Sequence, residues 1–257
     1  MFVQSVQPDF SVFWGWFPRS FFLAIILSSS SLLNKDDKSN DSASIYLQLG
    51  VRYMDLGKLE IAKENLLLAQ EKDPSNPQVH NAFAFLYEKI NDYAQAKEQY
   101  EMALELSPQD WSVQNNFGRF LCDRGEYKQG MALLIQASST QLNDRQWVAL
   151  TNAGRCQLAM GQKQSAASYF KQALIINNAY APALLEMQKL SYQNSDYLAA
   201  KDYLQRYLKV AAHTSSTLWF GMQTERALGD VDLAKEYQKI LVEKFPLSEE
   251  AKYIVGK

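Results

Sequence analysis

The chain has 257 residues, a formal net charge of −2, 47% hydrophobic residues, two cysteines and two histidines. Near-neutral charge, with no basic run interleaved with aromatics, removes the electrostatic case for nucleic acid or acidic lipid. No Gly-rich phosphate loop, HExxH or GxSxG segment occurs, and His80 and His213 lie too far from each other and from the cysteines to form a metal set. No cofactor, metal, small-molecule substrate or enzymatic activity is therefore expected.

In sequence order, residues 1–33 stand apart. Arg19 precedes an apolar stretch from Phe21 to Leu27, followed by four serines, Ser28 to Ser31. A basic residue, a short apolar core and small residues predict a secretory signal peptide or an uncleaved N-terminal membrane anchor. The apolar core alone is too short to span a bilayer. Residues 34–42 are polar without apolar anchors and predict a flexible tether.

From residue 43 a 34-residue beat takes over. Tyr46, Leu49, Gly50, Tyr53, Ala62, Leu66, Ala69 and Pro74 form one set; Phe83, Ala84, Tyr87, Ala96, Tyr100, Ala103 and Pro108 continue it at that shift. This is the tetratricopeptide (TPR) pattern of two helices, A and B, per repeat. Six repeats fit, at 43–76, 77–110, 111–144, 147–180, 181–214 and 215–248. The predicted fold is therefore all-α, a superhelical solenoid of six TPR repeats, followed by a C-terminal tail at 249–257.

The turn position between helices A and B reads Gly57, Asn91, Gly125, Gly161, Ser195 and Gly229. Gly and Asn take a left-handed conformation at low cost, so Ser195 is the expected exception. Asp92, Asp196 and Asp230 follow as candidate N-caps. Ala62, Ala96, Gly130, Ala166, Ala200 and Ala234 mark the small-residue position where helices cross closely. Pro77 and Pro182 begin A helices, where a missing N–H costs little. Cys122 and Cys156 both fall late in helix A of adjacent repeats. The preferred reading is two small, half-buried thiols; the alternative is a disulfide in an oxidising compartment.

A solenoid of this kind works by holding a partner on its concave face, lined by the A helices. Leu47, Val51, Met54 and Phe85 predict an apolar strip there, and Arg119, Arg155 and Lys189 a basic row. Asn81 and Asn115 are placed to hydrogen-bond a peptide backbone. Trp219 is expected to pack inside the C-terminal cap, with docking of a partner as the alternative. Val51 stands where carboxylate-clamp TPR domains carry asparagine, so that clamp is not expected.

Two stretches carry more than generic TPR signal: Asn115 to Cys122 with Gly125, Glu126 and Tyr127, and Leu218 to Gly221 with Glu225 to Asp230. Both resemble the type IV pilus biogenesis/stability family (PilF/PilW), the pilotins of the pilus secretin. The resemblance implies six TPRs on the periplasmic side of the outer membrane of a Gram-negative bacterium. It implies the pilus secretin as protein partner and stoichiometric help with secretin localisation and multimerisation, without turnover. Family members are typically lipoproteins, whose signal ends in a cysteine. Here Leu27 is followed by serines and the first cysteine is Cys122, which sets acyl anchoring in question and leaves association through the N-terminal segment. Two other readings compete: a periplasmic TPR adaptor of an envelope-synthesis enzyme, and a cytosolic co-chaperone with a misassigned start.

Overall fold

A two-helix repeat has too little interior to close a core of its own, so its stability comes from the faces it offers to its neighbours. The computed structural model describes residues 26–256, and its regular structure there is all helical, with thirteen α-helices. The expected signal or anchor therefore lies mostly outside the described residues. Repeat one comprises α1 (Ile26–Asp55) and α2 (Leu59–Lys72), and repeat two α3 (Pro77–Lys89) and α4 (Tyr93–Leu106). Repeat three is α5 (Trp111–Asp123) with α6 (Tyr127–Ser139), and repeat four α7 (Gln146–Ala159) with α8 (Lys163–Ile176). Repeat five is α9 (Ala181–Gln193) with α10 (Tyr197–Leu208), and repeat six α11 (Ser215–Leu228) with α12 (Val231–Lys244). A last helix, α13 (Glu249–Val255), follows.

The protein divides into two compact units, Met1–Pro74 and Ser75–Lys257. In the first, α1 and α2 form an antiparallel pair. Gly50 allows their close approach: a Cβ there would lie 2.7 Å from Leu66 Cδ2. The backbone of 34–42 is helical, in continuation of α1, where a flexible tether was expected. No proline or glycine falls between Ile26 and Leu49 to stop a helix that Gly50 and the repeat stabilise further on.

In the second unit each A helix packs on its own B helix, and each B helix on the next A helix. The core is accordingly a row of clusters. Tyr100, Phe117 and Phe120 stack beside Ala84, Ala96 and Leu121 at the junction of repeats two and three. Phe170, Leu184, Met187 and Leu190 fill the junction of repeats four and five. Each such side chain, fully removed from water, contributes about 1.5–3 kcal/mol.

The turns follow the sequence register. Ser195, the exception in residue type, has φ of +61°, as Asn91 has +62°, so both adopt the left-handed turn that glycine takes elsewhere. The fold imposes this geometry on the one repeat that lacks a favoured residue. Asp92, Asp196 and Asp230 cap helix B as predicted, accepting from the amides of Gln95, Ala199 and Leu233. Pro77 opens α3 and Pro182 lies in the first turn of α9. The expected tail is also corrected: Ser248 caps α13, whose Ala251 is buried with Leu218 and Leu241. That helix packs on α11 and α12, occupying the position of a seventh A helix and closing the apolar end of the array.

Candidate protein-binding groove

The nine residues expected to face a partner do not all do so. On α1, Val51 is exposed and Leu47 half-buried, but Met54 is buried, with 3% of its surface accessible. Met54 continues the inward stripe of Ala43 and Gly50, at i+11 and i+4, so the strip loses that member. Phe85, on α3 in the second unit, is 38% exposed, and Lys89 Nζ sits 5.1 Å from its ring centroid.

Asn81 and Asn115 are buried and engaged with other side-chain amides. Asn116 Nδ2 donates to Asn81 Oδ1 at 3.2 Å, and Asn115 Nδ2 donates to Asn116 Oδ1 at 3.1 Å. Asn152 Nδ2 donates to Asn115 Oδ1 at 2.9 Å, and Asn81 Nδ2 donates to Gln78 Oε1 at 3.3 Å. This series of amides crosses α3, α5 and α7 and satisfies groups that burial would otherwise leave costly. The groups expected to meet a peptide backbone instead join repeats to one another.

The basic row is similarly compensated. Arg119 donates to Glu88 Oε1 at 2.5 Å and to Asp123 Oδ2 at 2.9 Å, while the Tyr100 hydroxyl donates to Glu88 Oε1 at 2.6 Å. Burial opposes the Arg119 charge, but Glu88, Tyr100 and Asp123 outweigh it and hold its pKa above the ordinary arginine value. Burial, then the Glu88 carboxylate, pushes the Tyr100 hydroxyl well above the usual tyrosine range. Arg155 Nε donates to Glu186 Oε1 at 3.0 Å. Lys189 is half-buried on α9. Two of the three cations, Arg119 and Arg155, thus meet three carboxylates, Glu88, Asp123 and Glu186.

Arg119 and Arg155 do come together. With Asp123, Asn152 and the two cysteines they line a cavity of about 130 Å³ between α5 and α7. Its floor is a disulfide, Cys122–Cys156, with Cα atoms 5.4 Å apart. The preferred reading of two thiols is therefore overturned. Their separation of 34 residues, one repeat length, sets them side by side on adjacent A helices, and that spacing was the legible signal. The same feature explains Gly130 at a position otherwise held by alanine. A Cβ there would lie 2.6 Å from Cys122 Sγ and 2.7 Å from the Gly118 carbonyl oxygen. Sequence reasoning missed Asp123, Asn116, Asn152 and Glu186; the i+4 spacing of Arg119 and Asp123 was the one local cue.

Among the described residues no group of His, Cys, Asp or Glu is arranged to hold a metal, and no helix is long and apolar enough to cross a membrane. Tetratricopeptide-repeat profiles match residues 43–76, 91–153 and 148–180. The type IV pilus assembly protein PilF of Pseudomonas aeruginosa is 30% identical over 213 residues, which cover 82% of this chain and 84% of that protein. The chain belongs to the PilF family. The solved structure of Pseudomonas aeruginosa PilF superposes with a TM-score of 0.74 at 28% identity, over 85% of this chain and 99% of that one. The crystal structure of PilW, described as a widely conserved type IV pilus biogenesis factor, gives 0.73 at 27% identity, over 83% and 98%. Family membership thus accounts for nearly the whole length of both solved relatives.

Proposed function

We propose that the protein is a non-catalytic component of type IV pilus biogenesis that helps the pilus secretin reach the outer membrane and multimerise, acting from the periplasmic side. The observation that carries this reading is homology to PilF over 82% of the sequence. The Cys122–Cys156 disulfide supports it independently, because such bonds persist in oxidising compartments such as the periplasm. The partner engages the groove by shape, hydrogen bonding and apolar contact, since the central charges are compensated internally. Phe85 and Lys189 are the groove residues best placed to meet it. The N-terminal segment supplies membrane association.

Crosslinking of intact envelopes followed by affinity capture of the tagged full-length protein and mass spectrometry tests the proposal. Enrichment of the secretin, and loss of assembled secretin and surface pili on deletion, are the expected results. Capture of an envelope-synthesis enzyme with secretin assembly intact would replace this reading with that of a regulatory adaptor. Phe85→Ser with Lys189→Glu should weaken secretin capture while leaving the circular dichroism spectrum unchanged.

A further inference from the structure

The cavity between α5 and α7 has a floor and a rim of different character. The floor is the Cys122–Cys156 disulfide, with Ala159 at one side. It is low because these residues are small: at the place of Cys122, other A helices carry Glu88, Leu158, Tyr192 and Arg226. A surface of sulfur and methyl offers water few hydrogen bonds, so an apolar group displaces that water at little cost. The space available is about 130 Å³. Roughly 150 Å³ of apolar space is enough to hold benzene, so a branched aliphatic side chain fits. The disulfide fixes α5 against α7, and the space is therefore present before a ligand arrives.

The rim is polar and carries both hydrogen-bond senses. Asp123 engages Arg119 through Oδ2, and its side chain is 54% exposed. Asn152 commits Nδ2 to Asn115, and Arg155 commits Nε to Glu186. Among the described residues that leaves Asn152 Oδ1 and the second Asp123 oxygen as acceptors, and the terminal nitrogens of Arg155 as donors. These rim charges are of both signs and already paired, so the rim selects neither an acidic nor a basic group. It matches a peptide unit, which presents one N–H and one C=O. A helix has committed those groups to its own ladder; an extended chain has not.

We propose that this cavity takes one aliphatic side chain of an extended partner segment, with the rim bonding the backbone on either side of it. The proposal rests on the reading of the concave face as the partner-binding surface, and adds the conformation and the anchoring side chain of the segment held there.

The test pans a phage-displayed dodecapeptide library against the full, oxidised chain and measures the selected synthetic peptides by calorimetry. The expected common feature is one Leu, Ile, Val or Met. Ala159 is exposed at the last turn of α7, so Ala159→Phe fills the cavity from its side without entering the core. That variant, and alanine at the aliphatic position of the peptide, should each weaken binding about tenfold or more, and the two together no further than either alone. Failure to enrich any peptide, a shared charged residue in place of the aliphatic one, additive losses, or full affinity for Ala159→Phe with circular dichroism unchanged would each overturn the proposal. Secretin capture from envelopes separates it from the proposed function. Equal capture by wild type and Ala159→Phe overturns the cavity as anchor and leaves the secretin reading standing. Peptide binding as expected, with no secretin captured, supports the cavity and overturns only the secretin reading.

Discussion

Removing the disulfide is the sharpest test of how the middle of the array is held together. Cys122 and Cys156 close a loop of 34 residues that crosses the boundary between repeats three and four. Loop-closure entropy for that length gives about 4 kcal/mol of stabilisation at 25 °C. The bond also sits in the Cys122, Met131, Leu134, Ala153 and Cys156 cluster, so Cys→Ala leaves small packing gaps in addition. Cys122→Ala with Cys156→Ala, and separately the wild type under reductant, should each lose about 3–5 kcal/mol in urea denaturation followed at 222 nm. The two perturbations should agree to within the packing difference of about 1 kcal/mol. A stability loss below about 1 kcal/mol in both would refute the reasoning, as that is within reach of packing alone. So would two thiols reactive towards Ellman's reagent in the unreduced, denatured protein. Because neighbouring repeats share stability only through their interfaces, the reduced protein should also show a broader transition.

Three further outcomes follow from the fold. Glu225 is 1% exposed and accepts from Lys201 Nζ at 2.8 Å, so Lys201→Met strands a buried carboxylate and should cost about 3 kcal/mol; adding Glu225→Gln should recover most of that in a denaturation cycle. Ser195→Gly relieves a left-handed φ of +61° and should raise stability by about 1 kcal/mol in thermal unfolding, with no change expected in circular dichroism. Burial, with Lys244 as a lesser cause, lowers the His213 pKa from its ordinary value of 6.5. The folded state therefore favours neutral His213: its contribution is complete above about pH 6.5 and is lost as pH falls from there towards the lower folded value. Comparing His213→Gln with wild type across pH 5–8 should show the stability gap closing on the acidic side; a parallel pair of curves would contradict it.

The fold was legible because a solenoid repeats its constraints. Gly57, Gly125, Gly161 and Gly229 each mark the same turn, so the one non-conforming serine could be placed by register. The alanines at helix crossings and the aspartate caps follow for the same reason: each requirement is local and recurs. The site was less legible because its contacts join different repeats. Glu88 reaches Arg119 across 31 residues and Asn152 reaches Asn115 across 37, and neither pairing has a periodic signature. Position on an A helix foretold that these side chains lie on one face. It did not foretell that they bond to each other there. Likewise α13 lacks a repeat partner in sequence, and its role emerges only from the apolar end it covers.

The links that cross repeat boundaries also bear on how the groove recognises anything. Between repeats two and three lie Glu88–Arg119 and Asn81–Asn116, and between three and four the disulfide and Asn115–Asn152. Arg155–Glu186 joins four to five, and Lys201–Glu225 and Gln188–Thr217 join five to six. In a series of nearest-neighbour interfaces, each such link stiffens one junction, and the full set fixes the relative positions of the A helices from α3 to α11. A fixed surface loses little conformational entropy on binding, which favours affinity without new contacts. The polar groups that fix it are thereby withdrawn from the partner. Side chains that the internal network leaves accessible, such as Phe85 with Lys89, are then the ones left to discriminate between partners. On this argument a partner's affinity at the groove centre should depend only weakly on ionic strength, which titrating salt in a binding assay checks.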